Sequence, residues 1–104
     1  MKRLLMISYD LNKAPSEEYK ALSDYLNSIA DSGLMKPLES VYLIQTAMTA
    51  QQVSEGIKKV LTSEENGLRN GTRWVVAPIK LSESTGWISE SKIEWWRKAV
   101  KAGL

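Results

Sequence analysis

Along the first ten residues Leu5, Ile7 and Tyr9 fall on one side of an extended chain, and Leu4, Met6, Ser8 and Asp10 on the other, because successive side chains of a strand point to opposite faces. Both sides begin apolar, so residues 3–10 read as a central strand covered on both faces. Asn12-Lys13-Ala14-Pro15 is a turn leading into a helix: Pro15 suits the first helical position, and Glu17 and Glu18 suit the first turn. Tyr19, Leu22, Leu26 and Ile29 then recur at spacings of three and four, which predicts an amphipathic helix over about 15–31, with Gly33 as its stop. Residues 34–38 contain Pro37 and read as an edge strand or a loop. The stretch SVYLIQT, 40–46, is rich in β-branched and aromatic residues and reads as a strand. Thr49 and Gln52 match a capping box. Val53, Ile57, Val60 and Leu61 form the stripe of a second helix over about 50–62, which Gly56 weakens. A polar loop with Asn66-Gly67 and Asn70-Gly71 turns leads to a strand over 73–81, in which Pro78 marks an edge or a bulge. After a loop at 82–86, residues 88–102 read as a helix capped by Ser89, with Ile93, Trp96 and Val100 on one side.

The resulting order, β-α-β-β-α-β plus a tail, is the split βαβ or ferredoxin-like pattern: an α+β sandwich with an extra C-terminal helix. The chain of 104 residues has the size of one domain, with a core over 3–81 and a Trp-rich tail over 87–102. In such a fold both helices lie on one face of a four-stranded antiparallel sheet. Yet Met6 and alternate residues of 40–46 and 73–81 supply apolar groups to the second face as well, and an apolar open face needs a cover. At about 25 cal/mol per Å2 its burial is a large term. The cover is either a second copy of the chain or the tail. Adjacent helical residues point about 100° apart, so Trp95 and Trp96 cannot both face the sheet; Trp96 is expected to pack on it, and Trp95 to cover a seam with Trp87.

The chain has no cysteine and no histidine. A Ser-His-Asp triad, a cysteine nucleophile and a thiolate or imidazole metal site are thereby excluded, leaving carboxylates, lysine, tyrosine, serine or a hard metal ion on oxygen ligands. The net charge of +2 permits a nucleic-acid partner without predicting one. Arg69 and Arg73, which flank a turn, and Lys13 are the basic residues placed to reach a phosphate backbone; the bland reading of the same residues is a solvated face. No apolar run approaches the roughly 20 residues of a membrane span, and MKRLLMIS is interrupted by Tyr9-Asp10 before a signal-peptide core forms. The expected location is cytoplasmic.

Asp10 raises the functional question, because an aspartate is a poor strand former and expensive to bury. One reading makes it the start of an Asx turn toward Asn12. The other aims it at a site, with Ser8 on the same face.

A hydrophobic strand ending Ser8-Tyr9-Asp10-Leu11, followed by an amphipathic helix and then Glu39-Ser40-Val41-Tyr42-Leu43, resembles the small CRISPR-associated adaptation proteins, the "Cas-two" superfamily. The segment PLESVYL is similar to its SinR-like branch, and the virulence-associated protein D toxins are further relatives. The resemblance covers roughly residues 3–80. It implies a homodimer packed through the sheets, with Asp10 of each subunit near the axis, acting on or holding DNA or RNA. Two carboxylates meeting there repel, and the pair has two ways out: one takes a proton, or a divalent cation sits between them. In the second case a Mg2+, retained with several waters, would complete a phosphodiesterase site with Asp10 as ligand and catalytic residue and Ser8 hydrogen-bonding phosphate or water. The chain departs from the resemblance in lacking an arginine-rich stretch after Asp10 and in the tail GWISESKIEWWRK. The alternative is a non-catalytic ferredoxin-like dimer that serves as an interaction or regulatory module.

Overall fold

The computed structural model describes residues 2–31 and 33–104. Its elements are β1 (Arg3–Asp10), α1 (Ser16–Ile29), β2 (Leu34–Leu38), β3 (Val41–Thr46), α2 (Ala50–Leu61), β4 (Arg73–Pro78) and α3 (Glu90–Lys101), with a single 3-10 turn at Leu81–Glu83. The four strands form one antiparallel sheet in the order β2-β3-β1-β4. This small α+β architecture is compatible with the ferredoxin-like pattern.

The alternation along β1 divides the molecule into two cores. Leu5, Ile7 and Tyr9 join Leu22 and Leu26 of α1 and Val53, Ile57 and Leu61 of α2 on one face. Leu4, with Met6 packed beside it, joins Met35, Leu43, Leu81 and Ala99 on the other. The tail covers part of that second face: Trp95, Trp96, Val100 and Leu104 all pack into this cluster, and the Leu81 amide donates to the Leu104 carbonyl at 2.6 Å. Trp95 packs there at the cost of an indole Nε1 that is buried without a partner. The expected seam between Trp95 and Trp87 is not formed. Trp87 is 97% exposed, because the loop before α3 carries it outward.

Local signals account for most boundaries. The Thr49 hydroxyl accepts from the Gln52 amide (3.2 Å) and the Gln52 side chain accepts from the Thr49 amide (2.9 Å), completing the capping box of α2. Ser89 does stand at the N-cap of α3, but its side chain makes no cap hydrogen bond. Pro15 is the N-cap of α1 rather than its first turn. That helix ends at Ile29 on the Ala30 amide, which donates to Leu26, so it stops before the expected glycine; Gly33 instead takes a positive φ of 78° at the entry to β2. β4 ends at Pro78, short of the expected residue 81, because the chain turns there into the 3-10 segment. β2 is an edge strand, and its pairing with β3 shifts between Met35 and Leu38, around Pro37.

Gly56 has a packing reason inside α2. A Cβ at that position would stand 1.8 Å from the Tyr25 hydroxyl and 2.2 Å from its Cζ. The glycine is the notch through which the Tyr25 ring of α1 approaches α2, and burial pushes the Tyr25 hydroxyl above its ordinary pKa.

Candidate functional site

The register of the sheet places the expected site residues at one end of its second face. Ser8 lies between Val41 of β3 and Val75 of β4, and Asp10 lies opposite Arg73. Paired residues share a face, so Ser8, Asp10, Val41, Val75 and Arg73 form one surface beyond the part that α3 covers. Leu38, paired with Val41, continues it. Leu38 and Val75 are 59% and 61% exposed. The tail thus blankets the Leu4, Met35 and Leu43 half of the second face and leaves the Asp10 half bare.

Asp10 itself is exposed, and its Oδ1 accepts from the Asn12 amide at 2.8 Å. This is the Asx turn, and the carboxylate closes it with Oδ1. The turn is strained: Asn12 and Lys13 take φ of 49° and 58°, the left-handed region that residues with a Cβ seldom enter. Its surroundings hold it there. The Arg69 Nε donates to Glu18 Oε2 at 2.8 Å, its Nη1 to the Asn12 carbonyl at 2.9 Å, and its Nη2 to the Leu11 carbonyl. The Asn12 amide group donates to the Asn70 carbonyl at 3.3 Å. Gly71, at φ 86°, lies so close that a Cβ there would meet the Asn12 Nδ2 at 2.3 Å. Arg69 is therefore a clamp joining α1, the strained turn and the loop before β4, with all three nitrogens engaged. Lys13 and Arg73 differ from it: both are exposed, and neither enters an ion pair among the described residues.

Among the described residues no three acidic side chains come together to hold a metal ion.

On the opposite face, at the same end of the sheet, Tyr9 and Tyr42 stack with centroids 5.6 Å apart and planes 18° from parallel. The Lys36 ammonium lies 5.5 Å from the centre of the Tyr42 ring, within cation–π range. The Tyr9 hydroxyl donates to the Glu39 carbonyl at 3.1 Å. Burial raises the Tyr9 pKa, with Lys36 opposing. Burial works against the charge of Lys36, but its contacts with Tyr9 and the attraction of Tyr9, Tyr42 and Glu39 outweigh it and raise that pKa too. Both groups hold their protons through the neutral range, and the cluster fixes the end of β2 to β1 and β3.

Sequence reasoning does not find this cluster or the Arg69 clamp, because each joins residues distant in the chain. It also misses an apolar groove of about 420 Å3 between the bare half of the sheet and the loop before α3, lined by Met6, Leu38, Val41, Leu43, Trp87 and Trp96 among others. The available signal was Trp87 itself, an aromatic residue in a loop of small and polar residues. No helix among the described residues is long and apolar enough to cross a membrane. Comparison with protein-family models, with curated proteins and with solved structures returns no match to this chain.

Proposed function

We propose that the chain is a cytoplasmic nucleic-acid-binding protein that works as a homodimer joined through the bare half of its sheet. The observation that carries this reading is the division of the second face: α3 covers one half, while the half holding Ser8, Asp10 and Arg73 keeps exposed Leu38 and Val75. A two-fold partner over that surface would bury the apolar strip and bring two copies of Asp10 toward one another. Lys13 and Arg73, exposed at the rim, are the residues left to meet phosphates, whereas Arg69 serves the turn. The reading agrees with the resemblance to the small CRISPR-associated adaptation proteins on Ser8-Tyr9-Asp10-Leu11 and on residues 37–43, and with a ferredoxin-like reading of the strand order. Should the two carboxylates meet, a Mg2+ held by the pair and by water would supply phosphodiester hydrolysis of DNA or RNA, with Ser8 as a hydrogen-bond donor beside it.

The experiment is incubation of the purified protein with labelled RNA and DNA in Mg2+ or EDTA, beside Asp10→Ala. Cleavage that needs the metal and is lost in the variant supports hydrolysis; cleavage indifferent to both is contamination. Binding is measured separately, by titration at several salt concentrations. Loss of Arg73 or Lys13 should weaken it and lower the salt slope by about one per phosphate contact removed; an unchanged slope in both variants counts against nucleic acid at this rim.

A second reading, the non-catalytic interaction module, is favoured by the hydrogen bond from the Asn12 amide to Asp10, since a carboxylate that closes its own turn needs no substrate to explain it. This reading predicts a dimer that survives Asp10→Ala and no hydrolysis in any metal.

A further inference from the structure

We infer that the groove beside the loop before α3 is the socket of a reciprocal contact in which Trp87 of one copy of this chain inserts into the groove of the other. The inference rests on the dimer reading above and adds its anchor.

Trp87 presents 97% of its surface to water, although tryptophan is among the side chains with most to gain from burial. The groove beside it, about 420 Å3, has room for an indole. Its lining is apolar side chains together with Ser84, Thr85 and Gly86, and no charged residue contributes. A strand of nucleic acid or an acidic peptide would find no counter-charge there. An indole would find Met6, Leu43 and Trp96 as walls, and its N–H would lie within reach of the two hydroxyls. Trp87 is also part of the groove's own rim, so knob and hole belong to a single patch. That is the condition for a closed two-fold pair, in which each copy gives what the other receives.

The areas decide how strong such a pair is. A buried tryptophan accounts for up to about 250 Å2, so two exchanged indoles contribute on the order of 500 Å2, and the walls they cover a comparable amount. The total is roughly 1,000 Å2 before Leu38 and Val75 are added, the lower bound for a specific interface. The pair is therefore reversible and concentration-dependent, with the indole as its hot spot.

Sedimentation equilibrium of the full chain over a wide concentration range tests this, with Trp87→Ala, Leu38→Arg and the double variant alongside. Trp87 and Leu38 are both exposed, so neither change threatens the fold, and circular dichroism verifies that. Wild-type dimers weakened at least tenfold by Trp87→Ala, with the double variant little worse than either single one, support the contact; two residues that touch across one interface are non-additive. A dimer that Trp87→Ala leaves within twofold overturns this inference while sparing the dimer reading. A monomer at every concentration overturns both. A monomer whose tryptophan emission shifts on titration with a single-stranded oligothymidine, with the shift absent in Trp87→Ala, assigns the indole to base stacking and equally overturns the exchange.

Discussion

Replacing Gly56 by alanine sets two well-defined effects against each other. Alanine is a better helix former than glycine by about 1 kcal/mol, and Gly56 lies inside α2, so a surface helix would gain. Here the new methyl would stand 1.8 Å from the Tyr25 hydroxyl and 2.2 Å from Cζ, far inside the ~3.5–4.0 Å of a normal carbon contact. The ring cannot yield at its tip alone, since a ring carbon is also struck. Either Tyr25 leaves the notch or α1 and α2 separate, and overpacking of this kind costs about 1–3 kcal/mol. The net expectation is a destabilisation of about 1 kcal/mol, equivalent to a Tm lower by roughly 4–8 °C for a domain of this size. The assay is urea and thermal unfolding followed by circular dichroism. The sign should reverse when the obstacle is removed: in a Tyr25→Ala background, Gly56→Ala should stabilise by about 1 kcal/mol. A Gly56→Ala protein as stable as the parent, or one equally destabilised with Tyr25 absent, would refute the notch.

Other outcomes follow from the same geometry. Arg69→Ala removes the Glu18 pair and both carbonyl contacts and should cost about 2 kcal/mol, with faster amide exchange at residues 11–14; Arg69→Lys should not restore it, because one ammonium cannot replace the fork. Thr49→Ala loses the capping box and about 1 kcal/mol, read from the urea midpoint. Tyr9, Tyr25 and Lys36 all have pKa values raised in the folded state. A raised pKa contributes stability present below the unfolded value and lost as pH rises toward the folded one. With ordinary values of 10.0 for tyrosine and 10.5 for lysine, the urea midpoint should be level with respect to these groups through the neutral range and fall above about pH 10. A midpoint that climbs over that window contradicts the assignment.

The parts of this molecule that are legible in its sequence are those written in short-range periodicity. The spacing of Leu22 and Leu26, the Thr49–Gln52 box and the alternation of residues 3–10 each predict an element that forms. The apolar second face is legible too, and so is Trp96 as a residue that packs on it, but the choice between tail and second copy as the cover is not, because a stripe of Trp96 and Val100 suits a partner's sheet as well as the chain's own. Tail packing is a matter of where residues 79–89 lead the helix, and no local signal encodes that path. At Asp10 the sequence offers a turn and a site as alternatives, and the Asx turn is present at the edge of the surface that the site would need. The role of Arg69 was beyond reach for a simple reason: its partners lie 51 to 58 residues away in the chain.

The two prolines at the borders of the sheet limit how the protein can associate. β2 and β4 are the outer strands, and a strand added to either would need an unbroken row of amides. Pro37 interrupts that row one residue before the end of β2, where the pairing is already irregular, and Pro78 ends it on β4. Ribbon-like growth by strand addition, the usual hazard of an open sheet, is thereby discouraged on both flanks. The flanks of the sheet are thus the poorer surface for any contact, and its uncovered face the better one.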